Sequence, residues 1–166
     1  MPEALRFVEA DLSRRDHEDA VLAMVDAYSR DPFGDGRPLE PGARDRLIPG
    51  LRAHPTTLVM LAFEGDLCVG AAVCFVGFST FAARPLVNIH DLVVLRDSRK
   101  KGVGRGLLGA VERKARELGC CKLTLEVLDR NEPALRAYRA FGFERYSLQE
   151  GAGEAIFMTK PLGAAP

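Results

Sequence analysis

The segment Arg99-Lys100-Lys101-Gly102-Val103-Gly104-Arg105-Gly106 constrains this chain most, because four cations and three glycines are packed between a β-rich stretch and a strongly patterned helix. Glycines let successive backbone N–H groups converge on one point, and a helix start adds unsatisfied donors and the positive end of its dipole. Flanking cations strengthen that field. The segment therefore predicts a strand–turn–helix unit whose turn holds an anion, with a pyrophosphate as the natural guest.

Three competing readings apply to the same letters. A solvated basic loop entering a helix is the bland one, and the glycines and helix start weigh against it. Gly104-Arg105-Gly106-Leu107-Leu108-Gly109 also matches the dinucleotide fingerprint, with Glu126 about 20 residues onward. That fingerprint opens directly at a strand's end, whereas Leu95 to Val103 intervene here, and too little chain follows for a doubly wound sheet. A phosphate-loop NTPase needs Gly-Lys-Ser or Gly-Lys-Thr, which the turn lacks.

On either side of the turn, periodicity lays out the rest. Leu5 to Ala10 reads as a strand, and Ser13 with Asp16 offers a capping box for a helix to about Tyr28. Arg30 to Gly42, rich in glycine, proline and charge, predicts a loop suited to a substrate lid, followed by a short helix near Ala43 to Ala53. Thr57 to Phe63 and Leu67 to Gly77 predict a hairpin through Glu64-Gly65-Asp66. Pro85 to Leu95 is a further strand, in which Asn88, His90 and Asp91 interrupt a buried run. Leu107, Leu108, Val111, Ala115 and Leu118 form one helical face closed by Gly119. Lys122 to Leu128 then reads as a strand, Asn131 as the N-cap of a short helix with Pro133 in its first turn, and Ala155 to Lys160 as a closing strand. The expectation is one α+β domain over residues 1–160, a mixed sheet covered by helices, and a loose tail over 161–166.

A chain of 166 residues suits one domain with a real core. Lysine plus arginine equals aspartate plus glutamate at 23 each, so no overall field draws nucleic acid or an anionic membrane. The uncharged run Leu67 to Ala83 is shorter than the ~20 apolar residues of a spanning helix and contains Gly70 and Gly77. Cys68, Cys74, Cys120 and Cys121 lack metal-ligand spacing, and an adjacent pair makes a strained disulfide, so free buried thiols in the cytoplasm are expected and no metal site is. Charges at Glu3, Arg6, Glu9 and Asp11 break any signal-peptide pattern.

From Val94 to Gly104 the sequence resembles the GNAT superfamily, with its Arg/Gln-x-x-Gly-x-Gly/Ala signature at Arg99 to Gly104; Arg96 stands where the family usually has proline. Leu125 to Tyr138 and Phe141-Gly142-Phe143 resemble the family's second cofactor segment. The resemblance implies an α+β fold with a mixed, mostly antiparallel sheet flanked by helices on both faces, and acetyl-coenzyme A as co-substrate. It implies that backbone groups of Leu92, Val93 and Val94 pair with the pantetheine arm, while Arg99, Lys100, Lys101, Gly102, Val103, Gly104 and Arg105 hold the pyrophosphate. Asn131 would meet the cofactor near the pantetheine, and Tyr138 would stand near the sulfur as general acid. Without the resemblance, Asn131 is simply a helix cap and Tyr138 a core tyrosine. A homodimer is likewise expected from the resemblance alone.

Phe78-Ser79-Thr80-Phe81 and Ile89-His90-Asp91-Leu92 resemble the diamine and thialysine acetyltransferase branch, in which Glu-Asp usually stands where His90-Asp91 stands here. The implied acceptor is a primary amine of a small molecule, with a peptide or protein amine and a non-catalytic acetyl-coenzyme A sensor as alternatives. An alkylamine of pKa about 10.4 must lose a proton before it attacks, at a cost of roughly 4–5 kcal/mol at neutral pH. His90 is the base candidate and Asp91 a partner acting through water or holding a cationic acceptor. His90 as a histidine satisfied inside a strand is the competing reading. The oxyanion would meet the Val94 N–H. Asp26, Tyr28, Asp31, Asp35, Phe81 and Arg84 are candidates for the acceptor entrance, while His17 is expected on a helix surface and His54 is read as structural or solvated.

Overall fold

Alternating apolar residues build the sheet, and a computed structural model describes it over residues 4–163. Five strands lie in the order in which they occur: β1 (Leu5–Glu9), β2 (Thr57–Glu64), β3 (Leu67–Ser79), β4 (Arg84–Val94) and β5 (Leu123–Leu125). The first four pair antiparallel and β5 joins β4 in parallel. Helices α1 (Arg15–Ser29) and α2 (Pro41–Ala53) cover one face, and α3 (Val103–Glu117) with α4 (Glu132–Phe141) the other. The fold is the expected α+β layer structure.

Each face has its own core. Val21, Met24 and Leu51 pack over Leu61, Ala71 and Val73, while Leu107, Leu108 and Val111 pack over Ala62, Val69 and Val87. Burying a side chain of this size stabilises by about 1.5–3 kcal/mol. Gly70 serves this packing, since a Cβ there would sit 2.9 Å from the Val93 carbonyl and 3.0 Å from Val103 Cγ1.

Several sequence expectations are corrected. Ser13 does not cap α1: its N–H and hydroxyl donate to Asp11 Oδ1 at 2.9 and 2.6 Å, and the N-cap residue is Arg14. His17 is buried rather than on the surface, because Nδ1 accepts the Asp11 N–H at 2.9 Å and so fastens the end of β1 to α1. Helix α2 opens at Pro41, whose fixed φ suits a first turn. The strand expected over Lys122 to Leu128 shortens to three residues. No strand forms over Ala155 to Lys160, where Ile156, Phe157 and Met158 stand 79%, 72% and 80% exposed, because β5 ends too early to offer a long edge. Of the thiols, only Cys74 is buried; all four are free. Residues 161–163 carry no regular structure, and 164–166 lie outside the described residues.

Candidate functional site

Strand β4 organises the site through one irregularity. Its register on β3 runs from Val73 opposite Asp91 to Cys74 opposite Ile89, so His90 is an extra residue, a β-bulge. Val87 and Ile89 before the bulge, and Leu92 and Val94 after it, pack on the α3 side. The bulge resets the alternation, and His90 and Asp91 both turn toward the α1 side. His90 is exposed and lies edge-on to Phe75 with ring centroids 5.6 Å apart, while His54 meets the other side of Phe75 at 4.9 Å. Asp91 is partly buried. Burial pushes its carboxyl above the ordinary range, and the neighbouring His90 opposes that shift.

Two tyrosines converge on this point. Tyr28 in the last turn of α1 is raised by burial, then by Asp91 and Asp31. Tyr138 on α4 is pushed up to about 12 by burial and then by Tyr28, and its ring stands edge-on to Phe143 at 5.8 Å. Tyr28, Asp91 and Tyr138 therefore share one electrostatic neighbourhood. The sequence offered Tyr28 as a candidate for the acceptor entrance, without its proximity to Asp91 and Tyr138.

Beyond Ile89, β4 and β5 part, since their pairing covers only Val87–Ile89 with Leu123–Leu125. The Leu95 N–H still reaches back to the Val69 carbonyl on β3 at 2.9 Å. By the alternation of a strand, Val93 also faces β3, while the backbone groups of Leu92 and Val94 face the gap. Of the three residues expected to offer backbone groups there, the geometry brings forward two.

The gap runs toward the start of α3. Lys100 and Gly102 both have positive φ, +62° and +87°, and Gly102 is the N-cap residue. This left-handed pair turns the chain sharply, so that the N–H groups of Val103, Gly104 and Arg105 open the helix without intrahelical carbonyl partners. Among the described residues, Lys100, Lys101 and Arg105 make no ion pair, and all three are exposed. Arg99 is different: it donates to the Val94 carbonyl at 3.0 Å and to Asp31 at 2.6 Å. Gly104 to Gly109 all lie inside α3, so they form a helix rather than a fingerprint loop, and a Cβ at Gly106 would overlap the Phe7 ring. Asn131 caps α4, accepting the Ala134 N–H at 3.3 Å, which leaves its amide nitrogen uncommitted.

The entrance residues divide. Asp26 is taken up by Arg30 and the Leu39 N–H, Asp35 by Arg37, and Arg84 by the Gly119 carbonyl. Arg84 opens the far end of β4, roughly 20 Å from Asp91 at about 3.3 Å per residue, and Phe81 lies in the turn before it. Tyr28 and Asp31 stay beside the site. A cavity of about 230 Å³ between the C-terminal ends of α3 and α4 contains none of the site residues.

The profile of the Acetyltransferase (GNAT) family matches residues 21–143. The chain belongs to this family. Its relatives include streptothricin acetyltransferase of Streptomyces lavendulae, 37% identical over 72% of this chain and 57% of that protein. Thialysine N-epsilon-acetyltransferase of Bos taurus is 31% identical over 53% of this chain and 51% of that one. The chain thus spans about half the length of these two relatives. Among solved structures, aminoglycoside N-acetyltransferase AAC(6')-Iy in complex with CoA shares the fold, with a TM-score of 0.73 at 17% identity, covering 96% of this chain and 97% of that one. Among the described residues, no helix is long and apolar enough to cross a membrane, and no cluster of side chains is suited to a metal ion.

Proposed function

We propose that this GNAT-family chain is an N-acetyltransferase that moves the acetyl group of acetyl-coenzyme A to a primary amine of a small molecule by direct attack. The observation that carries this reading is the gap between β4 and β5 beside the cation-rich start of α3. Positive φ at Lys100 and Gly102, unpartnered N–H groups and three unpaired cations fit a pyrophosphate, and the backbone of Leu92 with the N–H of Val94, whose carbonyl is taken by Arg99, fits an amide-bearing arm. Acetyl-coenzyme A supplies an activated acetyl thioester.

The chain's residues do the rest. Lys100, Lys101 and Arg105 neutralise phosphate charge, and the Gly102 turn brings backbone donors to it. The Val94 N–H donates to the carbonyl oxygen on which charge develops. His90 and Asp91, turned to one face by the bulge, receive the ammonium and take its proton, Asp91 with a basicity raised by burial. Tyr138 keeps its proton across the neutral range and presents it to the departing sulfur. Asn131 adds an amide N–H beside the cap it already makes.

A primary amine on a flexible arm is favoured because one relative, by its name, acts on an ε-nitrogen. A homodimer and a cytoplasmic location, where free thiols persist, complete the proposal. The test is product mass after incubation with acetyl-coenzyme A and a panel of diamines, polyamines, thialysine, amino acids and peptides. A gain of one acetyl group on a small primary amine supports the reading. Acetylation confined to peptides would move the acceptor class, and cofactor binding without transfer to any of them would favour a sensor.

A further inference from the structure

Arg99 opens the cation-rich turn, yet two of its guanidinium nitrogens are already engaged within the protein. Nε donates to the Val94 carbonyl at 3.0 Å, and Nη2 donates to Asp31 Oδ2 at 2.6 Å, across 68 positions of sequence. Asp31 is fixed in turn. Its Oδ1 accepts the Phe33 N–H at 3.0 Å, its own N–H donates to the Tyr28 carbonyl at 3.0 Å, and its carbonyl accepts the Gly34 N–H at 2.8 Å. The Asp31 side chain is only 16% exposed, so the pair is screened less than the surface ion pairs of this chain. Burial works against its charge, but Arg99 and the Phe33 N–H outweigh it and hold the carboxyl below the ordinary range.

The loop that carries Asp31 is folded rather than slack. The Ser29 hydroxyl donates to the Arg37 carbonyl at 2.7 Å, the Arg37 N–H returns to the Ser29 carbonyl at 3.2 Å, and the Leu39 N–H reaches Asp26 Oδ1 at 3.0 Å. Gly34 lies so close to the Tyr28 carbonyl that a Cβ would overlap it. Asp31, the loop and Tyr28 thus form one hydrogen-bonded piece. Tyr28 at one end of it stands beside Asp91 and Tyr138, and Arg99 at the other end stands one residue before Lys100.

We infer that Asp31 is a positioning residue for acetyl transfer: through Arg99 it fastens the acceptor wall, made by the loop after α1 and Tyr28, to the pyrophosphate turn and the end of β4. This inference rests on the proposed acetyltransferase reading. On it, Arg99 is a strut, and the phosphate charge falls to Lys100, Lys101 and Arg105. The loop is a wall set by the turn, where the sequence suggested a lid.

The test compares Asp31→Asn, Asp31→Glu, Arg99→Gln and the double variant Asp31→Asn with Arg99→Gln, all in the full chain. Losing one charge-assisted hydrogen bond should raise the acceptor KM roughly tenfold and leave the acetyl-coenzyme A KM within about threefold. Asp31→Glu should restore most of the loss, and the double variant should be no worse than the poorer single one. A second readout needs no turnover: hydrogen exchange at Phe33, Gly34 and Arg37 should slow when coenzyme A is added to the wild type, and should not slow in Asp31→Asn. An unchanged acceptor KM, or effects of the two single variants that add independently, overturns the strut while transfer by the wild type upholds the enzyme. If the wild type transfers nothing, the enzyme reading falls, and loop exchange that ignores coenzyme A, or is slowed equally in Asp31→Asn, overturns the strut separately.

Discussion

Asp91 carries a conflict between folding and chemistry that can be measured. Its folded carboxyl titrates higher than the unfolded value of about 3.9 because burial disfavours the charge. The folded state therefore holds the proton longer, and stability falls as pH rises from the unfolded value through the folded one. Asp91→Asn removes that penalty, so its unfolding free energy should match the wild type at low pH and exceed it near neutrality, with a higher Tm there. Activity should fall in the same variant, which thermal melts and acetylation rates together would show. His90→Gln should flatten the pH profile if His90 takes the amine's proton; an unchanged profile and rate would remove it from that role. Tyr138→Phe keeps the ring against Phe143 and removes only the acid, so kcat should drop about 100-fold with the acetyl-coenzyme A KM within about threefold, measured by steady-state kinetics.

At the scale of elements, α3 ties the anion site to the core, because the helix that opens at the Gly102 turn buries Val103, Leu107, Leu108 and Val111 within its first three turns. Gly106 sets how close that helix comes to β1. Gly106→Ala would drive a methyl group into the Phe7 ring, and overpacking of this kind costs about 1–3 kcal/mol. The expected outcome is a lower Tm that Phe7→Leu partly restores, with the double variant compared to each single one by thermal melting. Lysine and arginine positions in the turn were legible because charge and glycine spacing are local properties. The bulge at His90 was not, since the letters Ile89-His90-Asp91-Leu92 read equally well as plain alternation. Only the pairing with Cys74 and Val73 shows the extra residue.

For the whole molecule, the two-sided sheet follows from two separate apolar sets, one on α1 and α2 and one on α3, each matched by alternate residues of β2 and β3. The stretch after α4 is less settled by its own letters. Ile156, Phe157 and Met158 have strand-forming composition but stand in solvent, and the β5 strand is only three residues long. Exposed apolar side chains of this kind favour association. Light scattering should give twice the 18.1 kDa chain mass, and a value of 18.1 kDa would remove the homodimer from the proposal.

The sequence by itself determined the strand–turn–helix unit, the order of elements through α4, the Asn131 cap and a mixed sheet covered by helices. Each rests on periodicity, capping or glycine chemistry within a few residues of itself. Tertiary structure alone decided what lies between distant segments. It set the buried His17 beside Phe63, committed Arg99 to Asp31, brought Tyr28 to Asp91 and Tyr138, and tied Arg84 to the Gly119 carbonyl. These pairings join residues separated by as many as 110 positions, Tyr28 to Tyr138. No local pattern encodes such a distance, because side-chain partners are chosen by how the two faces of the sheet close over their cores.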